Sequence, residues 1–254
     1  MSARRVAITG ADGFIGRNLA VQLAERGDVV LPLTRSSTRN DWYQAIAAAD
    51  AVIHLAGANR PASPSEFMKV NAGTAELLAE VITDTGRAIP VIYASSVKAA
   101  DDTEYGRSKR AGEECLLTLA KQTASAVYVF RLPNVFGKWA QPNYNSAVAT
   151  FCHNIARDLP IRVDAPAAPL SLIYVDDVVQ TFLNVLNGDV QTGIVEATPI
   201  YETTVGAVAN AIRGFRTDRD ENLIDTVGIG LTRALYATYV AALPPSEFSY
   251  PLIS

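Results

Sequence analysis

With 254 residues, 49% of them hydrophobic and 19% charged, the chain can bury one good core and a second small lobe. A net charge of −4 argues against general nucleic-acid binding, yet leaves room for a phosphorylated small ligand held by a few local donors. Cys115 and Cys152 offer neither a disulfide framework nor metal-ligand spacing; they read as buried thiols of a reducing compartment, and no metal is expected.

Met1-Ser2-Ala3-Arg4-Arg5 holds no apolar signal core, and no later stretch approaches roughly eighteen uninterrupted apolar residues. The expected location is therefore the cytoplasm. Arg5 to Thr9 is a short run rich in β-branched residues, hence a strand. It ends in Gly10-Ala11-Asp12-Gly13-Phe14-Ile15-Gly16, and apolar residues then recur at helical spacing as far as Arg26-Gly27. Strand, glycine loop and helix in that order suit a dinucleotide. Gly10, Gly13 and Gly16 let the backbone turn tightly around a pyrophosphate, whose charge favours the helix N-terminus. Asp12, Phe14 and Ile15 share this loop and its helix start.

Asp28 to Thr34 reads as the second strand. At its end, where such folds select the adenosine ribose, stand Arg35, Ser36 and Ser37 instead of a carboxylate. A guanidinium and hydroxyls suit a 2′-phosphate, so the spacing favours NADP(H) over NAD(H). Asn40 to Ala49 forms a short helix. Ala51 to Gly57 is a buried strand with its exit, where Leu55 precedes the small Ala56, Gly57 and Ala58 that let a cofactor lie close. His54, inside that strand, suits a core or supporting role. A long helix is expected over Pro64 to Thr85. Asn71 sits in its apolar stretch and needs a partner, either structural or at the cofactor site.

Ile89 to Ser95 is the next strand. Ser95 and Ser96 stand at its carboxyl end, where a parallel sheet opens its ligand crevice. The following helix carries Tyr105-Gly106-Arg107-Ser108-Lys109, with Tyr105 and Lys109 at i and i+4 on one face. At about 4 Å and an effective dielectric of about 20, an ammonium favours a phenolate by about 4 kcal/mol. That is roughly three pKa units, enough to bring a phenol into the range of acid–base catalysis. A hydroxyl, a phenol and an ammonium converging there read as a catalytic set.

Val127 to Leu132 is a strand whose ladder ends at Pro133. Asn134 to Ser146 reads as an irregular binding segment: its amides, with Asn134, Lys138 and Asn145 foremost, suit a diphosphate, and Trp139 or Tyr144 can pack a ring. Ala147 to Arg157 is a helix with His153 on its surface or in packing. Leu159 to Val163 is expected as a short strand carrying Arg162 toward the same cleft. Leu170 to Tyr174 leads to Asp176 or Asp177 as the cap of a helix reaching Asn187. Ile194 to Ala197 is a late strand, Thr203 to Phe215 and Leu231 to Leu243 are amphipathic helices, and Pro244 to Pro251 is an extended end.

These elements describe an α/β protein with a Rossmann-type doubly wound parallel sheet and a small C-terminal substrate-binding lobe. Residues 1–133 form the dinucleotide-binding core, which takes back about 171–197; residues 134–170 and 198–254 form the lobe.

The glycine loop, His54-Leu55-Ala56-Gly57, Asn71-Ala72-Gly73-Thr74, Ser95-Ser96, Y-x-x-x-K and Arg131-Leu132-Pro133-Asn134-Val135-Phe136-Gly137 occur in order. Together they resemble the extended short-chain dehydrogenase/reductase family, which acts largely on nucleotide sugars. The resemblance implies a catalytic trio of Ser96, Tyr105 and Lys109 and a supporting Asn71. It also implies a homodimer paired through Thr74 to Thr85 and Glu104 to Thr123. Gly137-Lys138-Trp139, Pro142 to Ser146, Ala149 to Cys152 and Phe248-Ser249-Tyr250-Pro251 narrow it further, to capsular-polysaccharide reductases that continue into a metal-binding cupin. Those enzymes use NADPH on a 4-keto sugar and epimerise C3 in the cupin. The chain stops at Ser254, about where a cupin would begin; a free-standing reductase is expected, or one completed by a separate cupin-type partner or a further C-terminal portion. Leu170 replaces an arginine that grips phosphates in many family members, and Arg162 or Lys138 is expected in its role.

The resulting expectation is NADPH-dependent reduction of a 4-keto group on a nucleotide-diphosphate deoxysugar. A 4,6-dehydratase is disfavoured, because Val97 and Lys98 stand where its acid–base pair would follow the serine. A 4-epimerase retaining NAD, or a dinucleotide-binding sensor or scaffold without chemistry, are the alternatives.

Overall fold

Val6, Ala7, Ile8, Val52, Ile53, Val91, Ile92, Val129 and Phe130 are all fully buried, whichever face of their strand they occupy. Runs buried on both faces belong to a parallel sheet covered on both sides by helices. The computed structural model describes residues 3–188, 191–223 and 228–248. In chain order it contains β1 (Arg5–Thr9), α1 (Phe14–Glu25), β2 (Val29–Leu33), α2 (Arg39–Ala48) and β3 (Ala51–His54). Then come α3 (Ser65–Phe67), a π-helical stretch (Met68–Ala72), α4 (Gly73–Thr85), β4 (Val91–Ser96), a 3-10 turn (Val97–Ala100) and α5 (Glu104–Thr123). The remainder is β5 (Val127–Leu132), β6 (Asn134–Phe136), α6 (Ala147–Ile155), β7 (Pro169–Tyr174), α7 (Val175–Leu186), β8 (Gly193–Val195), β9 (Tyr201–Thr204), α8 (Val205–Asp220), α9 (Gly230–Ala242) and a closing 3-10 turn (Pro245–Phe248).

The chain divides into two units, Met1–Pro133 with Asp177–Thr198, and Asn134–Asp176 with Pro199–Ser254. The first holds a six-stranded sheet in the order β2-β1-β3-β4-β5-β8, parallel throughout. Right-handed crossovers that run in opposite directions, β1 to β2 through α1 and β2 to β3 through α2, put these helices on opposite faces, so the sheet is doubly wound. Ala7, Val52, Val91, Tyr93, Val127 and Val129 form one face of the core with Trp42 and Ile46 of α2, Leu78, Val81 and Ile82 of α4, and Leu116 and Leu119 of α5. On the other face Phe182 of α7 packs on Phe130, ring centroids 5.3 Å apart.

The second unit holds a three-stranded sheet in the order β6-β7-β9. β6 pairs β7 in parallel and β9 pairs β7 antiparallel. Helices α6, α8 and α9 pack together beside it, with Phe215 of α8 against Tyr236 and Tyr239 of α9.

Several expectations change. The helix over 64–85 is broken by the π-helical stretch around Asn71. The segment after Pro133 is not irregular from its start: once proline ends one ladder, Asn134–Phe136 begins another. β7, expected with the core, pairs in the small sheet. Residues 159–163 form no strand. Asp176 and Asp177 lie inside the first turn of α7 instead of capping it, and β9 precedes α8 where a helix was expected to begin. Pro245–Phe248 is a 3-10 turn, not extended chain, and 249–251 lie outside the described residues. Cys152 is buried, Cys115 only half-buried.

Helix α5 can approach β4 because Gly112 has no side chain. A Cβ there would lie 2.6 Å from Tyr93 Oη and 3.2 Å from its Cζ. Tyr93 is fully buried, and its hydroxyl has no hydrogen-bond partner among the described residues. Gly112→Ala should therefore cost about 1–3 kcal/mol. Tyr93→Phe removes the hydroxyl without orphaning a partner, so alone it should cost little, and in the double variant it should restore part of the loss. Urea unfolding midpoints of the four proteins check this; strictly additive losses would show that the hydroxyl is not the obstacle.

Candidate active site

The connections leaving β1 and β3 run in opposite directions across the sheet, which makes the carboxyl ends of these two strands its switch point. Gly10, immediately after β1, has φ +68°, and a Cβ there would lie 3.0 Å from the Ala56 amide nitrogen. A Cβ on Gly16 would lie 2.3 Å from the Gly10 carbonyl oxygen. Helix α1 follows Gly13, an N-cap with no side-chain hydrogen bond, so its first-turn amides, those of Phe14 and Ile15 included, are left for a ligand beside exposed Asp12. A loop this close to backbone on both sides, ending at an uncapped helix, fits a pyrophosphate.

Thr9 joins the two strand ends. Its Oγ1 accepts from the Leu55 and Ala56 amides at 3.2 and 3.1 Å and lies 2.7 Å from His54 Nδ1. With two donors already on the oxygen, the Thr9 hydroxyl proton goes to Nδ1. His54 is wholly buried, and burial, aided by the charge on Lys109, lowers its pKa to about 3. It is a neutral core residue stacked on Tyr93, as expected. Gly57 follows at the β3 exit. Beyond β2, Ser36 bonds Thr34 through their hydroxyls at 3.0 Å, while Arg35 is exposed.

At the end of β4, the Ser96 hydroxyl accepts from the Lys98 amide at 3.2 Å. Burial raises the pKa of the Tyr105 phenol, and a hydrogen bond from Ser96 pulls it partly back. Phe67 meets the Tyr105 ring edge-on at 5.4 Å. The acidified phenol expected from the i, i+4 spacing is thus not what this structure shows. Lys109 turns its ammonium elsewhere: Nζ donates to the Ala94 carbonyl at 2.9 Å and sits 5.1 Å from the centre of the Tyr93 ring. Burial lowers its pKa to about 8, against the pull of Glu113.

Asn71 finds several partners. Its side-chain oxygen accepts from the Ala58 amide at 2.7 Å, and its nitrogen donates to Ala58 O at 3.0 Å and Ser108 Oγ at 2.9 Å. Ser108 Oγ in turn donates to Tyr105 O at 2.7 Å. The amide therefore ties the β3 exit to the turn of α5 between Tyr105 and Lys109. A second network escaped the sequence reading. Ser95 Oγ donates to Glu113 Oε1 at 2.5 Å, and Arg131 grips both Glu113 oxygens at 2.6 to 3.2 Å. Glu113 lies one turn past Lys109, and a carboxylate on the buried side of a helix was the available signal. Leu132, at the end of β5, is buried.

Ser96, also expected to touch substrate, is in the first unit, and the other expected substrate-binding residues lie in the second. Asn134 is exposed and its amide donates to Ser171 O at 3.2 Å. Lys138 Nζ is 3.3 Å from Asp176 and 5.6 Å from the centre of the Trp139 ring. Asn145 is exposed. Arg162 is 87% exposed and paired with Asp164, and the strand expected to carry it does not form. A cavity of about 220 Å³ is lined by Lys138, Trp139, His153 and Arg157 among others; Asn134, Asn145 and Arg162 do not reach it. Among the described residues no His, Cys, Asp and Glu group is arranged to hold a metal ion, and no helix is long and apolar enough to cross a membrane.

A family model described as the NAD dependent epimerase/dehydratase family matches residues 6–196. The UDP-2-acetamido-2,6-beta-L-arabino-hexul-4-ose reductase of Pseudomonas aeruginosa is 49% identical over 248 residues, which cover 97% of this chain and 67% of that protein. The dTDP-4-dehydrorhamnose reductase of Mycolicibacterium smegmatis is 32% identical over 77% of this chain and 64% of its own length. The crystal structure of the capsular polysaccharide assembling protein CapF from Staphylococcus aureus superposes with a TM-score of 0.90 at 33% identity, covering 98% of this chain and 68% of that one. The chain thus spans about two thirds of the length of each.

The buried ammonium of Lys109 has a consequence for stability. Its folded pKa of about 8 lies below the unfolded value of 10.5, so between these values the unfolded chain holds more protons and stability rises with pH. The gain is complete above the unfolded pKa and is lost as pH falls through about 8; it amounts to about 3 kcal/mol. Urea unfolding across that window should show this rise as a difference between the wild type and Lys109→Met. Equal pH slopes in the two proteins would contradict it.

Proposed function

The chain belongs to the NAD dependent epimerase/dehydratase family, and from that premise we propose that it reduces the 4-keto group of a UDP-linked 2-acetamido-2,6-dideoxyhexulose during synthesis of a capsule or surface polysaccharide. The observation that carries the reading is the grouping of Ser96, Tyr105 and Lys109 around the end of β4, on the sheet whose switch point carries the glycine cradle. Identity of 49% to a reductase of a UDP-4-keto sugar supports the substrate class.

The dinucleotide, when bound, supplies a hydride to the carbonyl carbon. Tyr105 gives its phenolic proton to the carbonyl oxygen as charge develops there, and Ser96 donates a hydrogen bond to the same atom. The raised pKa of Tyr105 keeps that proton on the phenol at neutral pH, which is the form a reduction consumes; solvent restores it afterwards. Lys109 spends one donor on Ala94 O and keeps the others for the cofactor ribose. Asn71 holds Lys109's turn of α5 to the β3 exit.

Gly10, Asp12, Gly13, Phe14, Ile15 and Gly16 would hold the pyrophosphate. Leu55, Ala56, Gly57, Ser95, Leu132 and Asn134 would line the rest of the cofactor. We assign NADPH as the preferred donor, because Arg35 is exposed at the end of β2 with a hydroxyl beside it and no carboxylate. Asn134, Lys138, Asn145 and Arg162 are the substrate contacts in this reading, with Lys138 and Arg162 exchanging Asp176 and Asp164 for phosphate. A cytoplasmic homodimer paired through α4 and α5 completes it.

Tyr105→Phe should lower turnover of a 4-keto UDP sugar by about 10²–10⁴-fold, with the dissociation constant for NADPH near that of the wild type. Wild-type turnover in the pure variant would remove Tyr105 from the reaction. Arg35→Ala should raise the KM for NADPH by about tenfold or more while leaving NADH little changed; equal effects on both cofactors would refute the 2′-phosphate role.

A further inference from the structure

The Glu113–Arg131 pair lies behind the trio, not in it. Glu113 is 2% exposed, and a carboxylate so buried persists as an ion only when its oxygens are satisfied. Here they are: Oε1 accepts from Ser95 Oγ at 2.5 Å and Arg131 Nε at 3.0 Å, and Oε2 accepts from Arg131 Nη2 at 2.6 Å and Nε at 3.2 Å. Ser95 and Arg131 are register partners on β4 and β5. The three side chains therefore lock the carboxyl end of two neighbouring strands to α5. Ser95 is the residue before Ser96, and Glu113 is one helical turn after Lys109, so the lock touches the backbone of one proposed catalytic group and the helix face of another.

Lys109 is otherwise poorly served for a buried cation. Its one hydrogen-bond acceptor among the described residues is the Ala94 carbonyl. Around it stand Tyr93 from β4 and a neutral His54 from β3, while Asn71 from the π-helical stretch shares with it the space beside Gly57; Tyr105 lies one turn earlier on its own helix. Glu113 is the acidic member of this neighbourhood, with Arg131 as its counterweight on β5.

We propose that Glu113 and Arg131 are positioning residues that hold the charge of Lys109 at a working value and fix the strand end carrying Ser96, resting on the catalytic reading above. Glu113 supplies the anion; Arg131, about a third exposed, pairs with both its oxygens and offsets part of its field. The pair acts through Lys109 and Ser95 and touches neither substrate nor cofactor.

Opposite signs separate this from a merely structural ion pair. Glu113→Gln keeps the shape and an acceptor for Ser95 but removes the anion, so the Lys109 pKa should fall by about one unit. Arg131→Gln removes the counterweight charge while its amide, with Ser95, still offers donors to the Glu113 carboxylate, so the Lys109 pKa should rise. The titration is followed on the Lys109 ε-methylene by carbon–proton NMR in the cofactor-free protein. Movement in opposite directions supports the inference; movement of both in the same direction, or of neither, overturns it. If Glu113→Gln does not fold, Arg131→Gln decides alone, an upward shift supporting and any other result overturning. The high-pH limb of kcat/KM is measured alongside. Titrations that shift as stated while this limb stays still would leave the inference standing and remove Lys109 from the proposed reaction.

Discussion

A lysine ammonium inside the protein is the constraint around which the first unit is arranged. Left alone it would lose its proton or let in water. The chain instead gives Lys109 a strand-end carbonyl from Ala94, the face of Tyr93 and the nearby anion of Glu113. Ala94 and Tyr93 both belong to β4 and Glu113 to α5 itself, so the position of α5 over β4 is set by electrostatics as well as by packing. The close contact of Gly112 with Tyr93 is the steric side of the same fit. Asn71 adds the third attachment, and the backbone yields to it: the helix before α4 widens into a π-helical stretch where the amide turns inward. Such stretches are frequent where a side chain is aimed at a site.

Placement of the glycine loop follows from topology. The strand order brings the ends of β1 and β3 side by side, and Thr9 binds one to the other through its hydroxyl. Gly10 and Gly16 remove the side chains that would fill the space between. The same edge of the sheet carries Ser95 and Ser96 at the end of β4. The glycine loop and the Ser95-Ser96 strand end are thus brought to one edge of the sheet by strand order.

The strand–loop–helix at the start, the Ser96, Tyr105 and Lys109 grouping and most helices were legible because their signals are local: residue type, spacing and position relative to a strand end. What escaped depends on partners distant in sequence. Nothing near Glu113 announces Arg131, eighteen residues on. Pro133 marks the end of a ladder, but not that Asn134–Phe136 joins β7 nearly forty residues later. Asn71 showed that a partner was needed, not that the helix would widen to supply it. The electrostatic expectation for Tyr105 failed for a related reason. Spacing put Lys109 on the right face, but the acceptor that draws its nitrogen away is Ala94, on another strand. Arg162 was expected in a strand that did not form, and it ends exposed beside Asp164.

A single labelling experiment tests the central claim most directly. The enzyme is given a 4-keto UDP-2-acetamido-2,6-dideoxyhexose and NADPH carrying deuterium at the transferable position of C4, and the sugar is read by NMR. The account predicts one deuterium at sugar C4, a secondary alcohol there, and one NADPH consumed per product. Unlabelled C4 with no net loss of NADPH, or a sugar recovered only as a 4-epimer with tightly held NAD, would contradict it.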